Sequence, residues 1–336
     1  MKFVFAIVLF FCSLSTSVFA QEEALPTGPS SMAISPPSSG AYFGAWVNPD
    51  GTKGATAQEV EGYTETLETQ ISRKLSLHMH YYPWSVGNQP SFPGEAMTYD
   101  ITNGRIPVVT WACGDSDANV VSGADDALIT QTATAIKNFG SPIFLRWYWE
   151  MNLAPGANNQ NCLGTEGAAG YVAAWQHIHH LFADVVHVTN VTWLWNPSGG
   201  SSAPDPSPYY PGSQYVDWIG FDGYDTKQAH DFGIIFDPFY KKFEAEGKPF
   251  LIAETGECPS WQSDYLSLAQ SEIEGSTNPG GYAFPLVKGF MYFDAPGHYG
   301  AAHPDCAWSL EANSPGLAAF GLMGASPYFN GSLMSK

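Results

Sequence analysis

Eight short apolar runs, each separated from the next by a longer stretch with room for a helix, constrain this chain more than any other feature. They lie at 41–47, 75–82, 106–112, 142–150, 191–196, 216–224, 249–254 and 287–294. Runs apolar at nearly every position fit strands covered on both faces, which is how parallel sheets are built. Helical stretches at 57–74, 125–139, 167–186, 238–246 and 261–274 supply crossovers between them. Eight such units in about 300 residues predict one α/β domain, a (β/α)8 barrel over 41–336. The competing open doubly wound sheet lacks its ligand signature, since no Gly-x-Gly-x-x-Gly or P-loop follows any run.

In a barrel of this kind the working face is the carboxyl end of the strands. Polar residues gather at those ends: His78 and His80, Trp111, Glu150 and Asn152, Asn196, Asp222 and Tyr224, Glu254, Asp294. The fourth run, Ile143-Phe-Leu-Arg-Trp-Tyr-Trp-Glu150, carries two ionisable groups through apolar surroundings, and such groups are costly unless partnered. Strand alternation predicts that Arg146, Tyr148 and Glu150 share a face. The seventh run also ends in a carboxyl, Glu254, followed by turn residues. Strands four and seven face each other across an eight-stranded mouth. Two opposed carboxyls fit glycoside hydrolysis, in which one protonates the leaving oxygen and the other attacks the anomeric carbon or activates water.

Glu150, framed by Trp147, Tyr148 and Trp149, is the candidate acid/base, and Glu254 the candidate nucleophile, held by Arg146 and Tyr224. The candidate substrate-binding residues are His80, Trp84, Trp111, Arg146, Trp149, Asn196, Asp222, Tyr224 and Tyr292. Plainer readings stand beside them. Asp222 and Asp294 suit bonds to neighbouring loops, Glu257 suits a surface role, and His80 suits a satisfied core histidine. His78 and His80 on one strand face also suit a metal site, but strands five and six offer no further His, so neither a metal nor a cofactor is expected.

The first twenty residues fit a secretory signal, with Lys2, an apolar run and a small-residue cleavage site after Ala20. Residues 21–40, rich in Pro and Ser, read as a flexible leader. Export makes two disulfides the expectation for Cys113, Cys162, Cys258 and Cys306, and sequence proximity favours Cys113–Cys162 and Cys258–Cys306. A net charge of −19 with only 13 Lys plus Arg argues against nucleic acid or an anionic membrane as partner. A neutral polysaccharide is the natural partner, and 11 Trp residues supply apolar faces for sugar rings. No partner subunit is called for, and a monomer is expected.

Four segments together resemble glycoside hydrolase family 26: Phe144-Leu-Arg-Trp-Tyr-Trp-Glu-Met-Asn152, Ala174–Phe182 leading to Asn190–Asn196, Tyr209–Tyr224, and Lys248-Pro-Phe-Leu-Ile-Ala-Glu-Thr-Gly256. The resemblance spans nearly the whole mature chain. It implies a retaining (β/α)8 enzyme, in most members an endo-β-1,4-mannanase and in some a mixed-linkage β-glucanase or xylanase. It implies Glu150 as acid/base, Glu254 as nucleophile and Tyr224 bonded to the nucleophile, with the carboxyls about 5–5.5 Å apart. The chain departs from the family's pattern where Trp149 replaces the usual His before the acid/base. It departs again at Tyr292-Phe-Asp294, where a Trp platform is usual. An indole has one donor and no acceptor, so the contacts around the acid must change. A carbohydrate-binding protein without activity is the alternative from another class.

Overall fold

The computed structural model describes residues 32–51, 54–156, 161–200, 203–224, 229–276, 280–296 and 306–331. The expected signal segment and residues 21–31 of the expected leader lie outside the described residues.

Strands β1 (Tyr42–Val47), β2 (Leu77–Tyr82), β3 (Ile106–Trp111), β4 (Ile143–Trp147), β5 (Val191–Trp195), β6 (Trp218–Tyr224), β7 (Phe250–Gly256) and β8 (Val287–Asp294) pair in chain order into one closed parallel barrel. Closure is made by β1 against β8, from Tyr42 opposite Gly289 to Val47 opposite Asp294. Period-two alternation divides each strand between two cores. Inward residues Tyr42, Leu77, Met79, Ile106, Val108, Phe144, Leu194, Trp218, Leu251, Ala253 and Met291 fill the barrel. Their outward neighbours pack beneath the helices.

The floor of the barrel is closed by part of the segment expected to be a free leader. Ile34 joins the inner core, its N–H donates to Thr192 Oγ1 at 2.6 Å, and its carbonyl accepts from Trp218 Nε1 at 2.9 Å. The helices are α1 (Ala57–Gln70), α2 (Glu95–Thr102), α3 (Asp117–Ser122), α4 (Asp126–Phe139), α5 (Ala168–His180), α6 (Phe232–Phe243), α7 (Gln262–Ile273) and α8 (Pro315–Ala325). A capping box starts α1, with Thr56 and Glu59 bonding each other's backbone N–H. The expected helix at 238–246 instead begins six residues earlier, capped by Asp231, and carries Pro238 inside. Phe232, Ile235, Phe236, Phe239 and Phe243 form a buried stripe on that helix, and its burial outweighs the roughly 3 kcal/mol cost of an internal proline.

Both expected disulfides are present. Cys113–Cys162 ties the end of β3 to the segment before α5, and Cys258–Cys306 ties the end of β7 to the segment before α8. Among the described residues no helix is long and apolar enough to cross a membrane.

Candidate active site

The chain leaves β4 sooner than alternation predicts. The strand ends at Trp147, and Tyr148 and Glu150 then adopt left-handed backbone with φ of 46° and 53°. Arg146, Tyr148 and Glu150 therefore do not share one face. Tyr148 turns into the aromatic packing of Trp147 and Tyr171, and its hydroxyl accepts from the Cys162 N–H. Hydrogen bonds from neighbouring strands hold this uncommon backbone: the Tyr148 N–H donates to Trp111 O and the Glu150 N–H to Asn196 O at 2.8 Å. Asn152 reinforces the turn, donating to the carbonyls of Ser198 and Pro204 and accepting from the Ser198 N–H.

On β7 a different irregularity aims the second glutamate. Phe221 pairs with Ile252, but Asp222 pairs with Glu254, so β7 has one extra residue at this point. Such a bulge resets the alternation and re-aims a side chain. Ala253 belongs to the inner core, Thr255 faces outward to bond Tyr265, and Glu254 is turned inward across the barrel.

Glu254 is gripped from three strands. Tyr81 on β2 donates to Oε1 at 2.5 Å, Arg146 Nη2 donates to the same oxygen, and Tyr224 on β6 donates to Oε2 at 2.9 Å. Arg146 is wholly buried. Its Nη1 contacts both oxygens of Asp222 at 2.9 and 3.0 Å, and its Nε donates to Thr110. One guanidinium thus serves two carboxylates, with the carboxyl of Glu150 close enough to feel both. Burial, then the negative charge of Glu254, pushes the Glu150 carboxyl up to about 8, and Arg146 and a bond to the Ser198 side chain offset this only in part. Asp222 is also held well above the usual carboxylate range, first by burial and then by Glu254 and Glu150. The arrangement can keep one carboxyl protonated near neutrality while another is fully supplied with donors.

Other residues anticipated at the mouth fall into two groups. Trp149 stands there, 5.7 Å from the Arg146 guanidinium and edge-on to Tyr81 at 5.3 Å. Trp111, Asn196, Asp222 and Tyr292 are fully buried and have no surface to offer a sugar. Trp111 stacks on Trp84 at 4.3 Å, and Trp84 in turn lies so close to Gly114 that any side chain there would strike the indole. The Asn196 side chain donates to the Pro197 carbonyl, and Tyr292 donates to the Trp308 carbonyl. His80 points outward from β2 with His78, and the two rings bond the two oxygens of Asp100 on α2. Only an edge of His80 reaches a cleft of about 340 Å³ between the ends of β1 and β2 and the starts of α1 and α2. Trp46, Tyr81, Tyr82 and Glu95 also line that cleft.

Two clusters among the described residues have ligand-type spacing. Glu257, Cys258 and Cys306 form one, but its cysteines are joined in a disulfide. In the other, His78, His80 and Asp100 already bond one another, and Arg105 Nη1 lies 3.4 Å from Asp100. A fixed cation there opposes a second one.

Two residues at this site were not singled out from the sequence as site residues: Tyr81, bonded to Glu254, and Trp308, stacked on Tyr224 at 4.2 Å. A model described as Glycosyl hydrolase family 26 matches residues 58–269. The chain belongs to this family. Among curated relatives, Endoglucanase H of Acetivibrio thermocellus is 27% identical over 261 residues, which is 71% of this chain and 27% of that protein. A mannan endo-1,4-beta-mannosidase of Bacillus subtilis is 27% identical over 178 residues, 50% of this chain and 44% of that one. The chain spans between 22% and 46% of the length of the curated relatives it matches. The fold is shared with a solved Bacillus subtilis mannanase (TM-score 0.57, 18% identity, 83% of this chain and 84% of that one). It is also shared with a β-mannanase from a symbiotic protist of the termite Reticulitermes speratus (TM-score 0.58, 15% identity, 89% and 95%).

Proposed function

We propose that this family 26 chain is an exported, retaining endo-β-glycosidase acting on a β-1,4-linked polysaccharide, with mannan as first substrate. The observation that carries this reading is the asymmetry of the two glutamates. Glu150 is pushed up to about 8, while Glu254 accepts from Arg146, Tyr81 and Tyr224. A proton donor and a carboxylate ready to attack are the two partners a retaining mechanism needs.

In the first step a Glu254 oxygen forms a bond to the anomeric carbon as the glycosidic C–O bond breaks, and the Glu150 proton passes to the departing oxygen. In the second, Glu150 takes a proton from water, the water oxygen bonds to the anomeric carbon, and the Glu254 ester bond breaks with its electron pair returning to the carboxylate. Trp149 forms a wall of the cleavage point, and Tyr81 and Trp46 continue the surface into the neighbouring cleft. Export is supported by the signal-like first twenty residues and by the two disulfides.

A second reading, cleavage of β-glucan, is favoured by one observation. The match to Endoglucanase H reaches 71% of this chain, while the curated mannosidases reach between 37% and 54%. A hydrolysis screen on galactomannan, glucomannan, mixed-linkage β-glucan and β-1,4- and β-1,3-xylan, run with wild type, Glu150→Ala and Glu254→Ala, tests both. Cleavage of one polymer by wild type alone is the expected outcome. Binding without cleavage by wild type would make the chain a carbohydrate-binding protein.

A further inference from the structure

Tyr81 lies on β2, on the far side of the barrel from β7, yet its hydroxyl meets Glu254 Oε1 at 2.5 Å. The ring is fixed before any substrate arrives. Trp46 stands edge-on to it at 5.3 Å, Trp149 does the same at 5.3 Å, and Arg146 lies 5.7 Å from its centre. Arg146 Nη2 also reaches the Tyr81 hydroxyl oxygen at 3.3 Å, so guanidinium, phenol and carboxylate form a closed triangle.

The groups facing Glu254 are Arg146 and Glu150 from the β4 end, Asp222 and Tyr224 from β6, and Tyr81 from β2. Only Arg146 is a cation, and it is shared with Asp222. With the one guanidinium divided between Glu254 and Asp222, oriented O–H dipoles are the remaining means of stabilising a carboxylate there. Burial, and next the charge of Glu254, keep the Tyr81 proton on its oxygen, so the group remains a donor.

We propose that Tyr81 is a positioning residue for the reaction, fixing Glu254 in its attacking orientation through Oε1 while its ring walls the adjoining cleft. The proposal rests on Glu254 being the nucleophile, and the experiment separates the two ideas. Wild type and Tyr81→Phe are treated with the 2-deoxy-2-fluoro-β-glycosyl fluorides of mannobiose and cellobiose. The labelled residue is located by mass spectrometry, and the inactivation rate is followed against pH. Fluoride leaves without an acid, so the acidic limb of that profile reports the nucleophile alone. Phenylalanine keeps the ring and its contacts with Trp46 and Trp149, which preserves the fold.

The expected result is labelling of Glu254 in both proteins, with Tyr81→Phe slower by roughly 10- to 100-fold and its acidic limb moved to higher pH. Labelling of Glu254 at the wild-type rate, or slower labelling with an unmoved acidic limb, would overturn the role of Tyr81 and leave the nucleophile standing. Labelling of another residue, or none in wild type, would overturn both.

Discussion

Two buried ionic clusters lie on opposite faces of β2, and they treat their acids in opposite ways. Outside the barrel, Arg105 meets Glu61, Glu68 and Asp100, with Lys74 and the two histidines completing the set. Glu68 accepts from Arg105 Nε and the Leu75 N–H on one oxygen and from Lys74 and Arg105 Nη2 on the other. Burial alone would raise its carboxyl, but these bonds outweigh it and hold the group below the ordinary glutamate range. Asp100 is likewise held well below its usual value, with the His78 and His80 charges and bonds overcoming burial. Inside the barrel, burial wins for Glu150 and Asp222. A cluster that matches each acid with donors stabilises a fold, and one that leaves an acid short of donors retains a transferable proton.

The largest expected effect separates the clusters by activity. Glu254→Ala lowers kcat by on the order of 10⁴- to 10⁶-fold, and Glu150→Ala by about 10²- to 10⁴-fold, measured on the folded protein. Next, Arg105→Met strands Glu68 and Asp100 without their partner and costs about 3–5 kcal/mol in urea unfolding. The molecules still folded retain the wild-type rate; a lost rate without lost stability would erase the distinction.

The two clusters also give opposite pH slopes. Stability tied to Glu68, whose value is lowered on folding, is complete above the ordinary glutamate range and is lost as pH falls below it. Stability tied to Glu150, whose value is raised, is complete below that range and is lost as pH rises towards about 8. Glu68→Gln should flatten the acid side of a stability–pH curve, Glu150→Gln the alkaline side, and an exchange of these outcomes would refute the comparison. Wild-type activity falls as pH rises through about 8, where Glu150 gives up its proton. The smallest effect concerns Trp149, whose replacement by Phe weakens the contact with Arg146 and slows turnover only a few-fold.

The barrel was legible because eight runs apolar on both faces leave few alternatives, and the glutamates because both close such a run. The strand faces were less so. Alternation pairs His78 with His80 and, equally, Leu77 with Met79 and Tyr81, but does not say which set faces inward. The purely apolar pair Leu77 and Met79 was the available signal, and it points to Tyr81 rather than His80 as the inward residue at the rim. At the end of β4, alternation failed because the backbone turns left-handed at Tyr148, which no residue type there announces. The bulge on β7 was hidden for a similar reason, since it depends on pairing with β6. Trp111 and Tyr292 have the chemistry of sugar platforms, and only the packing of neighbouring loops shows them buried.

Ile34 works as a stopper in the bottom of the barrel, and this sets a limit on trimming the amino terminus. A chain shortened to begin at residue 32 keeps the backbone bonds to Thr192 and Trp218, whereas one beginning at residue 36 loses both and lets water reach the underside of Trp218. The boundary of the packed barrel therefore falls ahead of Ile34, several residues earlier than the first strand suggests.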